Sequence, residues 1–304
     1  MAQEAFKQLR QSKIQLSTRL KLKNIFSGEW ESIYKGEGIE FADIQPYEPG
    51  DDLRDLDLVT LVKSGEEEIV QRTVGRQMKI FIWADLSGSM KRTQDMFFSS
   101  KPDIRDITIG LIIYSARNVY SPAGLCAFDN EIKFFVLAKY GEDHCDRILD
   151  RVLEQDYKGA PVPADIMKSL NYLIENVYKQ SIVFYVSDFK DAVFEEDFTD
   201  LLKPVAKKFD FIPVVIRDPI EKNAVLKRPL NITVRDNEGD RRTEIYLTPE
   251  KLRELQRASA KHLWHLDSNF RQVGLDYVVL DSPSIDDCYQ ILSSFFDGRK
   301  RIRV

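Results

Sequence analysis

Lys79-Ile80-Phe81-Ile82-Trp83-Ala84-Asp85-Leu86-Ser87-Gly88-Ser89-Met90 runs from a compact apolar stretch straight into a loop of small, oxygen-bearing residues. The apolar part, Lys79–Ala84, has the length and content of a buried strand. The loop sets a carboxylate and two hydroxyls at alternate positions, and Gly88 allows a sharp turn between them. All three side chains offer oxygen, which suits a hard cation such as Mg²⁺ rather than a metal that prefers thiolates. In an open parallel sheet, ligands bind beyond the carboxyl ends of the strands, which is where Asp85 would stand.

Downstream, helix and strand patterns alternate. Asp106–Tyr120 predicts a helix with Ile107, Leu111 and Ile112 facing inward. Gly124–Phe128 and Ile132–Leu137 predict short strands separated by Asp129-Asn130, a hairpin signal. Helices follow at His144–Glu154 and Ala164–Lys179, a buried strand at Ser181–Ser187, a helix at Glu195–Lys208 and a strand at Phe211–Ile216. Leu230–Val234 and Arg241–Leu247 flank Asp236-Asn237-Glu238-Gly239 and read as an inserted β-hairpin near 230–247. Thr248 caps a helix from Pro249 to about Phe270, with proline in its first turn. Leu275–Leu280 is the last strand. Ser284 caps a closing helix with Tyr289, Leu292 and Phe296 on one face, ahead of a basic Arg299–Arg303 tail. The order predicts an α/β fold, a doubly wound and mostly parallel sheet, over residues 76–304.

Asp188 stands directly after the strand Ser181–Ser187, in the same position relative to its strand as Asp85. Two acids on loops after separate strands of one sheet can flank one ion, so Asp85, Ser87, Ser89 and Asp188 form the candidate metal set. As plain structure the same residues would be caps and turn formers, since Asp and Ser favour both.

Residues 1–75 read differently. The first 26 carry Lys7, Arg10, Lys13, Arg19, Lys21 and Lys23 against the single acid Glu4, with Phe6, Leu9, Leu16 and Leu20 at near-helical spacing. This predicts a basic amphipathic helix, docked on the body or facing a membrane or partner. Residues 30–75 are punctuated by Gly36, Gly38, Pro46, Pro49 and Gly50 and predict turns with a few strands.

Composition narrows the function classes. In 304 residues, 43% are hydrophobic and 31% charged, which supports a full core. A net charge of −5 argues against nucleic acid as the partner. No apolar run approaches the roughly 20 residues of a spanning helix, and no apolar signal core opens the chain, so a membrane role is not expected. Cys126, Cys145 and Cys288 lack CxxC spacing, which points away from disulfides and zinc ribbons and toward a cytoplasmic setting. Neither G-x-x-x-x-G-K-[ST] nor G-x-G-x-x-G follows the strand ending at Ala84, and Ser87 stands where an aspartyl-phosphate phosphatase needs its second acid. His262 and His265 read as ordinary helix histidines, and neighbouring His144 and Cys145 would point about 100° apart on a helix. No histidine is expected near Asp85 or Asp188, and no G-x-S-x-G elbow is present.

The Asp85–Ser89 loop, in its strand–loop–helix setting with Asp188 beyond a later strand, resembles the metal-ion-dependent adhesion site of von Willebrand factor A domains. The resemblance implies a doubly wound sheet whose DxSxS loop, a Thr and a later Asp hold a divalent cation completed by a partner's acidic side chain. Gly36-Glu37-Gly38-Ile39-Glu40-Phe41-Ala42-Asp43 and Tyr47-Glu48-Pro49-Gly50-Asp51-Asp52-Leu53-Arg54 resemble the signature of the bacterial MoxR-associated, von Willebrand A-like family, a domain of unknown function. Arg217-Asp218-Pro219-Ile220-Glu221 resembles another element of that family. Two departures stand out. Asp57-Leu58 follows the GDD-x-R signature where the family usually has Trp, and aligning Leu170 with the family helix puts Ala164 at the Thr position. Alanine supplies no ligand, so water or Asp165 would fill that place around an Mg²⁺ ion. Asp51, Asp52 and Arg54 read either as a charged recognition surface or as local pairs across a turn. The resemblance implies a non-catalytic protein-binding adaptor that works beside a MoxR-type AAA+ ATPase in assembling or metallating a client complex. The alternative is a metal-dependent hydrolase using Asp85 and Asp188.

Overall fold

The computed structural model describes residues 39–46, 68–74, 79–91, 100–119, 121–155, 162–179, 181–190, 198–222, 224–226, 228–235 and 242–303. The expected basic helix before residue 27 and the GDD-R turn at 50–54 lie outside these. The chain forms two compact units, one of residues 28–78 and a larger one that contains every described residue from Lys79 onward. In the smaller unit, β1 (Ile39–Pro46) pairs antiparallel with β2 (Glu68–Val74), and the register shifts between Phe41 and Asp43.

The larger unit is built on a six-stranded sheet. Its strands are β3 (Ile80–Asp85), β4 (Ala123–Phe128), β5 (Ile132–Lys139), β6 (Ile182–Ser187), β7 (Asp210–Ile216) and β10 (Val278–Leu280), in the order β10-β7-β6-β3-β4-β5. All neighbours are parallel except β4 and β5, which the Asp129-Asn130 turn joins as an antiparallel edge pair. Strands β3, β4 and β6 are buried at every position, which explains why their sequences are continuous apolar runs without alternation.

Among the described residues six α-helices cover the sheet: α1 (Lys101–Asn118), α2 (Glu142–Gln155), α3 (Ile166–Asn176), α4 (Phe198–Lys208), α5 (Pro249–Gln272) and α6 (Ile285–Arg303). Phe81, Trp83, Val183, Tyr185 and Phe211 point to one face, where they meet Leu170 and Leu173 of α3, Leu202 of α4 and Phe270 of α5. Helix α1 packs against α2 and α6, and Phe296 of α6 meets the ring of Phe184, the strand neighbour of Tyr185, edge-on. The sheet is therefore wound on both faces, as the alternation of strands and helices predicts. A separate antiparallel hairpin, β8 (Leu230–Arg235) and β9 (Arg242–Leu247), is inserted between β7 and α5 where the turn residues place it.

Several boundaries differ from expectation. Helix α1 begins at Lys101, five residues early, because Pro102 sits in its first turn and its charged Lys101, Arg105 and Asp106 are buried. Strand β10 begins at Val278, because Gly274 at φ 71° and the Leu275 amide, bonded to the Phe270 carbonyl, close α5. The expected basic tail is the last turn of α6. Among the described residues, no helix is long and apolar enough to cross a membrane.

Candidate functional site

Strand order reverses at β3: its successor β4 lies on one side and the later β6 on the other. The carboxyl ends of β3 and β6 therefore open side by side at the switch point, the place where such sheets bind ligands. Asp85 ends β3 and Asp188 follows β6, in register through Ala84 beside Val186.

Asp85 is fully buried. Its Oδ1 accepts the Ser87 amide at 2.7 Å, and its Oδ2 accepts the Ser187 hydroxyl at 2.6 Å. Burial, together with the negative charge of Asp188, pushes its pKa up to about 7 against these hydrogen bonds. The loop after it is tied down on several sides. Leu86 N donates to Phe128 O at 2.7 Å, Gly88 N donates to Val162 O at 2.7 Å, and Arg105 of α1 donates to Met90 O at 2.7 Å.

The four candidates are brought together. Ser87 Oγ lies 3.4 Å from Ser89 Oγ, and Ser89 is among the groups that lower the Asp188 pKa. Ser187 joins the two loops, since it also accepts the Phe189 amide at 2.9 Å. Phe189 holds φ at 54°, a left-handed position uncommon for a bulky residue. Three of the four are enclosed: Asp85, Ser87 and Asp188 are buried, and Ser89 alone is partly open.

A cation already stands in this cluster. Lys101, from the first turn of α1, reaches Asp188 Oδ2 at 2.8 Å and Glu221 Oε1 at 3.2 Å, with 4% of its side chain exposed. Burial by itself would lower its pKa, but Asp188 and Glu221 hold it well above the ordinary lysine value. Asp188 responds in the opposite sense: burial would raise it, yet Lys101 and Lys190 bring it down to about 2. Lys190, 45% exposed, lies 3.3 Å from Glu221 on the rim.

Glu221 explains the Arg217–Glu221 element. Asp218 caps the short 3-10 turn Pro219–Glu221, and its Oδ2 accepts Ser100 N at 2.9 Å, which fixes the start of α1. Glu221 then meets Lys101 and accepts the Ser259 hydroxyl of α5 at 3.0 Å. His262 of α5 corrects the expectation that no histidine lies near the motifs: its Nε2 is 2.9 Å from the Asp188 carbonyl. Its pKa is lowered, chiefly by burial. Lys101 gave no signal, because it lies ahead of the expected helix start at Asp106. The histidine, 74 residues from Asp188, left no signal in the spacing. His265 stacks edge-on against Trp264 and His144 bonds the Ala123 carbonyl, so both act as ordinary structural histidines.

The donor set does not fit a divalent ion. Mg²⁺ asks for about six oxygens in near-octahedral order. Both Asp85 oxygens are engaged by the protein, and one Asp188 oxygen holds an ammonium. Ala164 is half-buried and packs on the apolar cluster. Asp165 is turned away, its carboxylate accepting Lys168 N as the N-cap of α3. Among the described residues no group of three or more His, Cys, Asp or Glu is arranged to hold a metal.

Comparison with known proteins gives a family and distant neighbours. The family described as "Protein of unknown function DUF58" matches residues 43–263. Uncharacterized protein Rv1480 of Mycobacterium tuberculosis (strain ATCC 25618 / H37Rv) is 19% identical over 252 residues, 82% of this chain and 76% of that protein. The crystal structure of BatB from Bacteroides thetaiotaomicron aligns at 15% identity and TM-score 0.43, covering 74% of this chain and 99% of that one. Proximal thread matrix protein 1 of the mussel byssus, with a zinc-occupied MIDAS motif, aligns at 13% identity and TM-score 0.36, covering 73% and 47%.

Proposed function

Because the chain belongs to the family of proteins of unknown function DUF58, we propose that it is a non-catalytic, protein-binding adaptor of the cytoplasm. Its contact face is the carboxyl end of the sheet, and its partner is a MoxR-type AAA+ ATPase acting on a client complex. The partner rests on the resemblance carried by residues 36–54 and 217–221. The observation that carries the binding role is the rim itself: a cluster braced from several loops, open at Ser89 and Lys190. The non-catalytic reading is supported by the cysteines, all buried, whose thiols burial pushes up, Cys145 to about 11 and Cys288 to about 12. A nucleophilic thiol needs the opposite shift.

Co-purification of the tagged full-length chain with a co-expressed MoxR-type ATPase from the same genome tests this. Wild type should retain the ATPase. Ser89→Arg and Lys190→Glu, both on the rim, should lose it while circular dichroism stays unchanged. Retention by both variants, or no retention by wild type, would remove the proposal. The second reading, a hydrolase around Asp85 and Asp188, draws on one observation, the imidazole of His262 against Asp188. Turnover of an ester or phosphoester probe that disappears in His262→Ala would favour it.

A further inference from the structure

We propose that the Lys101 ammonium is the resident cation of this site, a tethered charge standing where the related adhesion sites hold a metal ion. The inference does not depend on the identity of the protein partner.

Three carboxyl-end segments converge on the ammonium: the first turn of α1, the loop after β6 through Asp188, and the turn after β7 through Glu221. The acids are themselves enclosed, at 4% and 11% exposed. Asp188 and Glu221 face two ammonium groups, one buried from Lys101 and one at the rim from Lys190, and Glu221 also lies 4.0 Å from Arg217 Nε. A divalent ion placed on Asp188 would stand within a few ångströms of the ammonium, and like charges that close repel strongly in a buried setting. On the other Asp188 oxygen it would compete with the Lys190 amide, which donates there at 3.3 Å. Ala164, which the resemblance aligns with the ligand Thr, offers a metal no hydroxyl, and the ammonium needs none. Asp218 holds the foot of α1 through Ser100 N, so the lysine is positioned by the fold and not by its own flexible stem.

The full-length chain is titrated with MgCl2 and MnCl2 by calorimetry, and its thermal midpoint is read in EDTA and in each metal. Wild type should give no saturable heat and no shift in midpoint. Ala164→Thr alone should also be silent, because Lys101 still fills the place. Lys101→Ala with Ala164→Thr should have a lowered midpoint in EDTA, raised by Mn²⁺ with saturable binding. Metal binding by wild type or by Ala164→Thr alone would overturn the proposal, as would silence of a folded double variant. If the double variant does not fold, lysine acylation read by mass spectrometry on wild type decides. Lys101 should be protected equally in EDTA and in Mn²⁺, and labelling that rises with the metal would show that an ion displaces it.

Discussion

Lys101 sits between two carboxylates with almost no solvent around it, and that makes its removal costly. Truncating one member of a buried ion pair leaves an uncompensated charge, which costs about 3–5 kcal/mol. Lys101→Met should therefore lose roughly that much stability in urea unfolding, and adding Asp188→Asn should recover part of it. Glu221 adds a pH dependence with a defined sign. Burial alone would raise its pKa, but Lys101 and Lys190 lower it. A carboxyl that ionises more readily folded than unfolded binds fewer protons in the native state. Its contribution is therefore complete above the ordinary glutamate value, about 4.3, and is lost as the pH falls through the lower folded value. Glu221→Gln should flatten the acid side of the stability–pH profile. An unchanged slope would mean that the Lys101 pair contributes nothing there.

At the scale of elements, the strands were the most legible part of the chain. A strand buried on both faces is written as an unbroken apolar run, and β3, β6 and β7 were visible for that reason. Helix α1 was legible only in its apolar half. Its first two turns carry Lys101, Asp103, Arg105 and Asp106, which look like solvated loop until the tertiary partners of Lys101 and Arg105 are known. The same gap hid part of the site: Asp85, Ser87, Ser89 and Asp188 follow from motif and strand position, whereas Lys101, Glu221 and His262 depend on which loops the sheet order brings together. Gly124 in β4 is a second case in which a small residue carries tertiary information. A Cβ there would stand 2.8 Å from Ala138 N and from Val136 O of β5, and 2.7 Å from the Phe81 ring. The close approach lies at the register shift between β4 and β5, and backbone atoms cannot yield as a side chain can. Gly124→Ala should cost about 1–3 kcal/mol, the range for overpacking, and loosen the edge pair in hydrogen exchange.

For the molecule as a whole, strand order does what no single motif does. A sheet that grows outward from β3 in both directions leaves one crevice, and every group of the site reaches it from the carboxyl side. The hairpin β8–β9 is outside this plan. Among the described residues its strands pair with each other alone, and its insertion lies after the turn that supplies Glu221 and before the Thr248 cap that starts α5. Gln256 of α5 donates to the carbonyls of Ile220 and Ala224, at 3.3 Å and 2.9 Å, so α5 is anchored to the site turn without the hairpin. Of the apolar residues at its ends, Leu247 is buried, whereas Leu230 and Tyr246 are 48% and 55% exposed. Isolated two-stranded hairpins are marginal by themselves, and a long surface insertion adds little closure entropy. Replacing residues 230–246 with a short Gly-Ser linker should leave a cooperative transition whose midpoint stays within about 2 °C of wild type, equivalent to ~1 kcal/mol or less. The acylation protection of Lys101 should also survive. Loss of cooperativity, or an exposed Lys101 in the shortened chain, would make the hairpin part of the support of the site rather than an addition to it.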